Sequence, residues 1–278
     1  MSIPLRPLKV TEILDGAFTL YRRHLGLLVA VSVVYYLVPA ILGLLVPMLG
    51  QFAAIVLSPV RDVALIWIAA ELIRGSSPTL RPALGRGAKL YIPTAVMGIA
   101  YSVVVGLAFF VGVMATGLST LLHWTVGLVV GIGATAGFLW LFCSWFAWRQ
   151  LIVVENDWNF FRRSTALASG QRRRILVVVV LGWLLVVLPT LVLTAGQMLS
   201  VGVETFLQSG QQVTRGQLLS QFALDCVTRP LTHLLITLMY FDTRVRLDGL
   251  DVEQYVDQLE QSLGESAGDA AAAEGAEA

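Results

Sequence analysis

Six long runs of apolar residues, separated by short polar segments, dominate the pattern of this chain. The runs cover residues 25–46, 52–73, 91–114, 126–148, 175–198 and 222–241. Each is close to the ~20 residues with which an α-helix crosses the ~30 Å hydrocarbon core of a bilayer. Because backbone amides inside a bilayer must be hydrogen-bonded within their own element, such runs predict continuous helices. We therefore predict an all-α, polytopic membrane bundle with six transmembrane helices over residues 1–246.

The polar segments predict how these spans are connected. We expect a tight turn at Gly50 and Gln51, a short loop at residues 115–125 and a longer polar segment at residues 199–221. Before each odd-numbered span lies a basic segment with helical periodicity, at residues 11–24, 79–90 and 157–174. We interpret these three segments as amphipathic helices in the headgroup region.

Residue spacing gives the details of the first and third amphipathic segments. In the first, Thr11 is a candidate N-cap, and the apolar face is formed by Ile13, Ala17, Leu20 and His24. In the third, Asp157 is a candidate N-cap and Gly170 can end the helix. The apolar face of that segment is formed by Trp158, Phe161, Thr165 and Ala168.

An amphipathic helix followed by two spans forms a unit that occurs three times, in residues 1–74, 75–156 and 157–246. Since each unit holds two spans, all three units have the same orientation, unlike the inverted repeats common in secondary transporters. Residues 247–263 predict a short amphipathic helix on the cytoplasmic side. Residues 264–278 are rich in Ala, Glu and Gly and predict a disordered acidic tail.

Composition agrees with a membrane protein, because 56% of the residues are hydrophobic and only 13% are charged. A soluble domain of this length cannot bury that much apolar side chain, so the excess must face lipid. The start of the chain lacks the pattern of a cleaved signal peptide, and we expect the first span to act as an uncleaved anchor. The two cysteines, Cys143 and Cys226, lie in apolar segments and are read as packing residues.

The basic residues predict the orientation. All 19 Lys and Arg residues except Arg61, Arg215 and Arg229 fall at one side of the spans. The positive-inside rule then places both termini in the cytoplasm, across a bacterial inner membrane. Basic residues at this side are candidate contacts for lipid headgroups or a partner protein. The candidates are seven arginines and one acidic residue close to them in the sequence, Asp242. They are Arg22, Arg23, Arg172, Arg173, Arg174, Asp242, Arg244 and Arg246.

Four charges inside spans are the strongest functional candidates, because a charge in hydrocarbon costs at least a few kcal/mol. They are Arg61, Asp62, Asp225 and Arg229. Asp225 and Arg229 have the spacing of an ion pair on one helix face, whereas the adjacent Arg61 and Asp62 are expected to point apart. His233 lies one turn beyond Arg229 and can join them. One hypothesis is that these charges form a polar cluster that lines a substrate or ion path in the outer leaflet. The other, which we favour, is that the helices of the second and sixth spans begin late, near Pro59 and Val227. The charges would then lie among the outer headgroups.

Small residues at intervals of four predict close packing of the third and fourth spans, on each other or on a second subunit. They are Gly98, Ser102, Gly106, Gly127, Gly131, Gly133 and Gly137.

Motifs for common catalytic, metal and cofactor sites are missing from the sequence: it has no His-Glu-x-x-His, no P-loop, no Gly-x-Ser-x-Gly and no pair of Cys-x-x-Cys. We therefore expect no enzymatic activity, cofactor or metal. The small net charge gives no reason to expect nucleic acid. Membrane lipids are the expected partners, together with another membrane protein or further copies of the chain.

Several strings resemble the bacterial family known as the glycerophosphoryl diester phosphodiesterase membrane domain. They are TEILDGAF at residues 11–18, YRRH at 21–24, Arg163-Ser164 with Leu167 and Gly170, YFDTRVR at 240–246 and GLD at 249–251. The resemblance implies six spans and, for a chain without a fused soluble barrel, no phosphodiesterase activity.

Two functions are open at this point. The first is a non-catalytic accessory or scaffold protein in envelope or lipid metabolism. The second is a transporter or lipid translocator that uses the intramembrane charges.

Overall fold

The computed structural model describes residues 6–156, 159–201 and 215–249, and within these ranges the chain is helical and contains no β-strand. The helices are α1 (Val10–Arg23), α2 (Leu25–Leu45), α3 (Pro47–Ile73), α4 (Leu80–Lys89), α5 (Tyr91–Leu122), α6 (Trp124–Ser144), α7 (Trp148–Gln150), α8 (Phe160–Ala168), α9 (Arg172–Val201) and α10 (Arg215–Asp248). A π-helical turn, Leu151–Glu155, extends α7. Six of the helical stretches are long and apolar enough to cross a membrane. The predicted all-α bundle with six spans is therefore confirmed.

Two predicted connections are wrong, because the chain turns in fewer residues. It turns at Val46, and Gly50 and Gln51 lie inside α3, whose first residue is Pro47. Proline suits the first turn of a helix, where its missing N–H has no partner to lose. The predicted loop at residues 115–125 shrinks to His123, since α5 continues to Leu122. Its polar residues stay helical by donating to backbone carbonyls of the preceding turn, as Thr116 Oγ1 does to Gly112 O at 2.8 Å.

Helices α2, α3 and α9 pack around α10, and buried residues of α1, α7 and α8 complete the core. Leu218 of α10 lies against Gly43 near the end of α2, and Thr232 of α10 lies against Gly182 of α9. Arg174 of α9 reaches Asp242 near the end of α10. The four helices thus alternate in direction along the chain, so that α3 and α10 run one way and α2 and α9 run the other. We call the end of this core that holds the last turns of α3 and α10 the basic end.

Close approach of backbones joins α2 to α3. A Cβ atom on Gly50 would lie 2.6 Å from Gly43 Cα and 2.7 Å from Pro39 O. No side chain fits there, so glycine permits the one-residue turn between the two helices.

Helices α5 and α6 pack on each other and contact the rest of the bundle mainly through α3, α8 and α9. The predicted packing of small residues is confirmed for Gly127 and Gly131, which lie against Thr120 and Thr116. Gly98 faces Trp148 instead, and Gly106, Gly133 and Gly137 have open space where a Cβ would stand.

The three amphipathic segments form helices, but their apolar faces pack against protein. In α1 the buried residues are Ile13, Ala17, Leu20 and Tyr21, and Tyr21 Oη donates to Val227 O of α10 at 2.8 Å. In α4, Gly87 lies against Val60 of α3. The apolar face of α1 is thus covered by α10 rather than left open to lipid, and the position of α1 in the headgroup layer stays a prediction.

The predicted caps and faces of these segments need correction. Lys9 is the N-cap of α1 rather than Thr11, and its backbone N–H donates to Glu12 Oε2 at 2.7 Å. His24, which was predicted on the apolar face of α1, is the C-cap of this helix instead. Tyr21 is the fourth residue of the buried face. The buried face of α8 consists of Phe160, Ser164, Leu167 and Ala168. The predicted Phe161 and Thr165 are therefore each one residue too late in the sequence, whereas Ala168 was predicted correctly. Gly170 has a φ of +75° and follows the end of α8, as expected.

The order of one short helix and two long helices occurs three times along the chain. Whether the three units share one internal geometry stays a prediction. Asp157, Trp158, most of the polar segment at 199–221, the helix expected at 247–263 beyond Gly249, and the tail at 264–278 lie outside the described residues.

Candidate functional site

Asp62 lies near the middle of α3 and is 3% exposed. Its Oδ1 accepts hydrogen bonds from Arg61 Nε at 3.0 Å and Arg61 Nη2 at 2.9 Å. Its Oδ2 lies 2.9 Å from Arg149 Nη1, and Oδ1 is also 3.2 Å from His233 Nε2 of α10. One buried carboxylate therefore binds two guanidinium groups and an imidazole.

The expectation that Arg61 and Asp62 point apart is wrong at the level of their charged groups. Their Cβ atoms diverge on the helix, but the flexible stem of arginine lets its guanidinium fold back onto the neighbouring carboxylate. Burial favours this arrangement, because an unpaired charge inside the bundle would be costly.

Tyr36 of α2 connects this ion pair to the second predicted pair. Arg61 Nη1 donates to Tyr36 Oη at 2.5 Å, and Tyr36 Oη donates to Asp225 Oδ2 at 3.0 Å. Arg229 Nε lies 3.4 Å from Asp225 Oδ1, as the spacing of four predicted. Arg61 Cζ also lies 4.7 Å from the ring centre of Tyr35, within the range of a cation–π contact.

We call this connected network the Asp62 cluster. Its members are Tyr36, Arg61, Asp62, Arg149, Asp225, Arg229 and His233. The four charges predicted from the spans are all in it. Tyr36 and Arg149 were not predicted as members; a tyrosine in an apolar run gives no such signal, and Arg149 was counted with the basic residues of the cytoplasmic side.

The hypothesis that α3 and α10 begin near Pro59 and Val227 is wrong. The two helices begin at Pro47 and Arg215, many residues earlier. Arg61 is 6% and Asp225 7% exposed, so protein covers these charges. Pro59 was taken as a helix start, but α3 continues through it, as proline is tolerated inside membrane helices.

A cavity of about 480 Å³ between α3, α5 and α7 reaches the Asp62 cluster from outside, and we call it the lateral cavity. Asp62 and Arg149 are part of its lining, as is Thr94 of α5. Its apolar lining includes Ile55 and Ile99, which are 71% and 66% exposed. In a protein whose large exposed apolar surface must face lipid, a cavity with such a rim opens towards hydrocarbon.

Asp242 at the basic end is almost fully buried and holds the start of the chain, in an arrangement that we call the Asp242 clamp. It accepts from Leu8 N at 2.7 Å and pairs with Arg174 at 3.0 Å and Arg246 at 3.1 Å. Both arginines also donate to Leu8 O. These three predicted lipid or partner contacts thus serve to join α9 and α10 to the segment before α1.

Arg244 belongs to a second group at the basic end. It lies 3.3 Å from Glu155 and 3.2 Å from Asp248, and Tyr240 Oη donates to Glu155 Oε1 at 2.5 Å. Among the other predicted headgroup contacts, Arg22, Arg23 and Arg173 are exposed. Arg172 is half-buried and stacks over Trp140 at 4.9 Å.

The described residues contain no group of three or more His, Cys, Asp or Glu side chains that could hold a metal ion. Cys143 and Cys226 are buried and not joined in a disulfide. Comparisons of the chain with models of known families, with curated proteins and with solved structures gave no match. The site must therefore be interpreted from its own geometry.

Proposed function

We propose that the protein is a non-catalytic accessory protein of envelope or lipid metabolism that binds a membrane amphiphile in the lateral cavity. The basic end faces the cytoplasm of a bacterial inner membrane in this proposal, as the distribution of Lys and Arg favours. The family resemblance of the sequence is part of the same proposal and agrees with a chain that lacks a hydrolytic barrel.

The observation that carries the proposal is a cavity with two kinds of wall. Its inner wall holds the Asp62 carboxylate and the Arg149 guanidinium, and its outer wall is apolar and exposed. Ligand sites commonly combine an apolar lining with a few convergent polar groups. A molecule with a polar head and a hydrocarbon tail matches both walls.

A second candidate function is translocation of the same amphiphile. It is favoured by the position of the Asp62 cluster, which lies near the middle of α3 rather than at a helix end. The scaffold function, in contrast, loses support from Asp242, Arg174, Arg244 and Arg246, since these side chains already pair within the chain.

Native mass spectrometry of the protein extracted gently from its own membranes tests the binding proposal. We expect a discrete adduct with the mass of a lipid or another amphiphile, retained under conditions that strip detergent. A stoichiometric protein partner without such an adduct contradicts amphiphile binding and favours a scaffold. Reconstitution into vesicles with a headgroup-labelled lipid then separates binding from translocation, since only a translocator accelerates loss of the label from one leaflet.

A further inference from the structure

The charges around the lateral cavity point to the chemistry of the ligand. We propose that the cavity binds the acidic head of an anionic amphiphile, with the Arg149 guanidinium and the Thr94 hydroxyl as its polar contacts. This inference rests on the proposed function and adds the class of ligand. The head is a singly charged oxyanion, either a phosphodiester or a carboxylate.

The charge balance favours an anion. Within the cluster Asp225 is matched by Arg229, whereas Asp62 faces two guanidinium groups, from Arg61 and Arg149. With His233 neutral, one positive charge has no counter-charge in the cluster. Arg61 is buried, but the Arg149 side chain is 39% exposed and lines the cavity. An excess charge is much more costly in a medium of low dielectric than in water, so a single anion at Arg149 would be strongly stabilised.

Two polar groups at the cavity lack partners among the described residues. Thr94 is 2% exposed, and its Oγ1 is buried without a hydrogen bond. Most hydroxyl groups on these helices, such as that of Thr190, donate to a backbone carbonyl of the preceding turn instead. Arg149 Nε is likewise buried without a partner. Buried polar groups are almost always satisfied, so two such donors in one cavity indicate a missing acceptor.

The remaining lining fits the apolar part of the ligand. Trp148 and Gly98 lie in contact on one side, where the indole comes to 3.5 Å from the position of a Cβ on Gly98. Val56 and Pro59 of α3 line the other side. The absent side chain at Gly98 lets the indole of Trp148 lie close against α5, so that the two residues form one apolar wall for a hydrocarbon chain that continues towards the exposed rim.

Lipid titrations of the full-length protein in dodecyl maltoside micelles, followed by thermal shift, test this inference. The ligands are dioleoyl phosphatidylglycerol, dioleoyl phosphatidylcholine, oleate and inorganic phosphate. We expect phosphatidylglycerol or oleate to bind at least about tenfold more tightly than phosphatidylcholine, because phosphatidylcholine carries the same phosphodiester but its quaternary ammonium cancels the net negative charge of the head. The better of the two identifies a phosphodiester or a carboxylate head.

Thr94→Val is the decisive variant because it separates binding from folding. Replacement of an unpaired buried hydroxyl by a methyl group of the same shape should leave the Tm without lipid unchanged or raised. The same variant should weaken binding of the anionic amphiphile about tenfold. Thr190→Val is the matched hydroxyl control and should not weaken it. Arg149→Gln should weaken binding at least as much, whereas Arg81→Gln, which removes an exposed charge on α4, should not.

The outcomes distinguish this inference from the proposed function. Binding of phosphatidylcholine as tight as that of both phosphatidylglycerol and oleate overturns the anionic ligand and leaves amphiphile binding intact. Inorganic phosphate that binds as tightly as the amphiphiles overturns the role of the hydrocarbon chain. Full binding by Thr94→Val, or equal losses in Arg81→Gln and Arg149→Gln, overturns the assigned contacts. The absence of binding by every amphiphile overturns both proposals.

Discussion

Replacement of Asp62 by Asn tests whether the Asp62 cluster stabilises the fold as one unit. Asp62 is the carboxylate on which Arg61, Arg149 and His233 converge, and Arg61 is 6% exposed. Asn keeps the shape but removes the charge, which leaves the Arg61 guanidinium buried without its counter-ion. Loss of one partner of a buried ion pair costs about 3–5 kcal/mol. At about 2–4 °C per kcal/mol for a chain of this size, Tm should fall by roughly 6–20 °C.

The assay is thermal unfolding in dodecyl maltoside micelles, followed by circular dichroism at 222 nm. Asp15→Asn serves as the control, because Asp15 is exposed on α1 and its loss should change stability by less than about 0.5 kcal/mol.

The double variant Arg61→Gln/Asp62→Asn provides the sharper measurement. It removes both charges of the pair, so the two single effects should not add, and the coupling free energy should exceed about 1.5 kcal/mol. Additive effects, or an Asp62→Asn variant as stable as the wild type, would refute the reasoning that Asp62 neutralises Arg61 inside the protein.

Three further predictions concern other parts of the chain. Asp242→Ala should release the backbone of Leu8 and speed amide hydrogen exchange in α1 at least about tenfold, since loss of a charged buried acceptor costs more than about 1.4 kcal/mol; unchanged exchange contradicts the clamp. Gly50→Ala should destabilise by about 1–3 kcal/mol, as overpacking does, whereas Gly106→Ala should be neutral or stabilising because open space surrounds it; unfolding in detergent compares the two. Hydrogen bonds from the Lys9 backbone and Arg6 lower the pKa of Glu12, so its contribution is present above the ordinary pKa of Glu and is lost as pH falls through the lowered value; the Tm of Glu12→Gln should therefore depend less on pH in the acid range than that of the wild type.

The spans were predictable because lipid imposes a condition on composition alone. About 20 apolar residues must follow one another, and that requirement can be counted along a chain. The ends of the helices could not be predicted in this way, because they depend on local hydrogen bonding of the backbone. Thr116 and neighbouring hydroxyl residues have the composition of a loop, yet they satisfy themselves within α5 and carry the helix to Leu122.

The Asp62 cluster shows the same division. Asp225 and Arg229 pair within one helix, and a spacing of four residues predicts this. Tyr36 and Arg149 come from α2 and α7, and no periodicity within their own segments indicates that they meet Asp62. One face of α1 was recognised as apolar, but periodicity does not say whether lipid or protein covers such a face. That distinction depends on tertiary packing.

The Asp242 clamp also sets an order of events during synthesis. Leu8 leaves the ribosome before α9 and α10, but the residues that bind its backbone belong to these two helices, more than 160 residues later. The N-terminal segment therefore cannot reach its final place until the sixth span has been made and inserted. A chain that stops early keeps a free N-terminal segment, which quality-control proteases can recognise. Insertion of α10 thus determines when the segment before α1 becomes fixed, although the two lie more than 200 residues apart along the sequence.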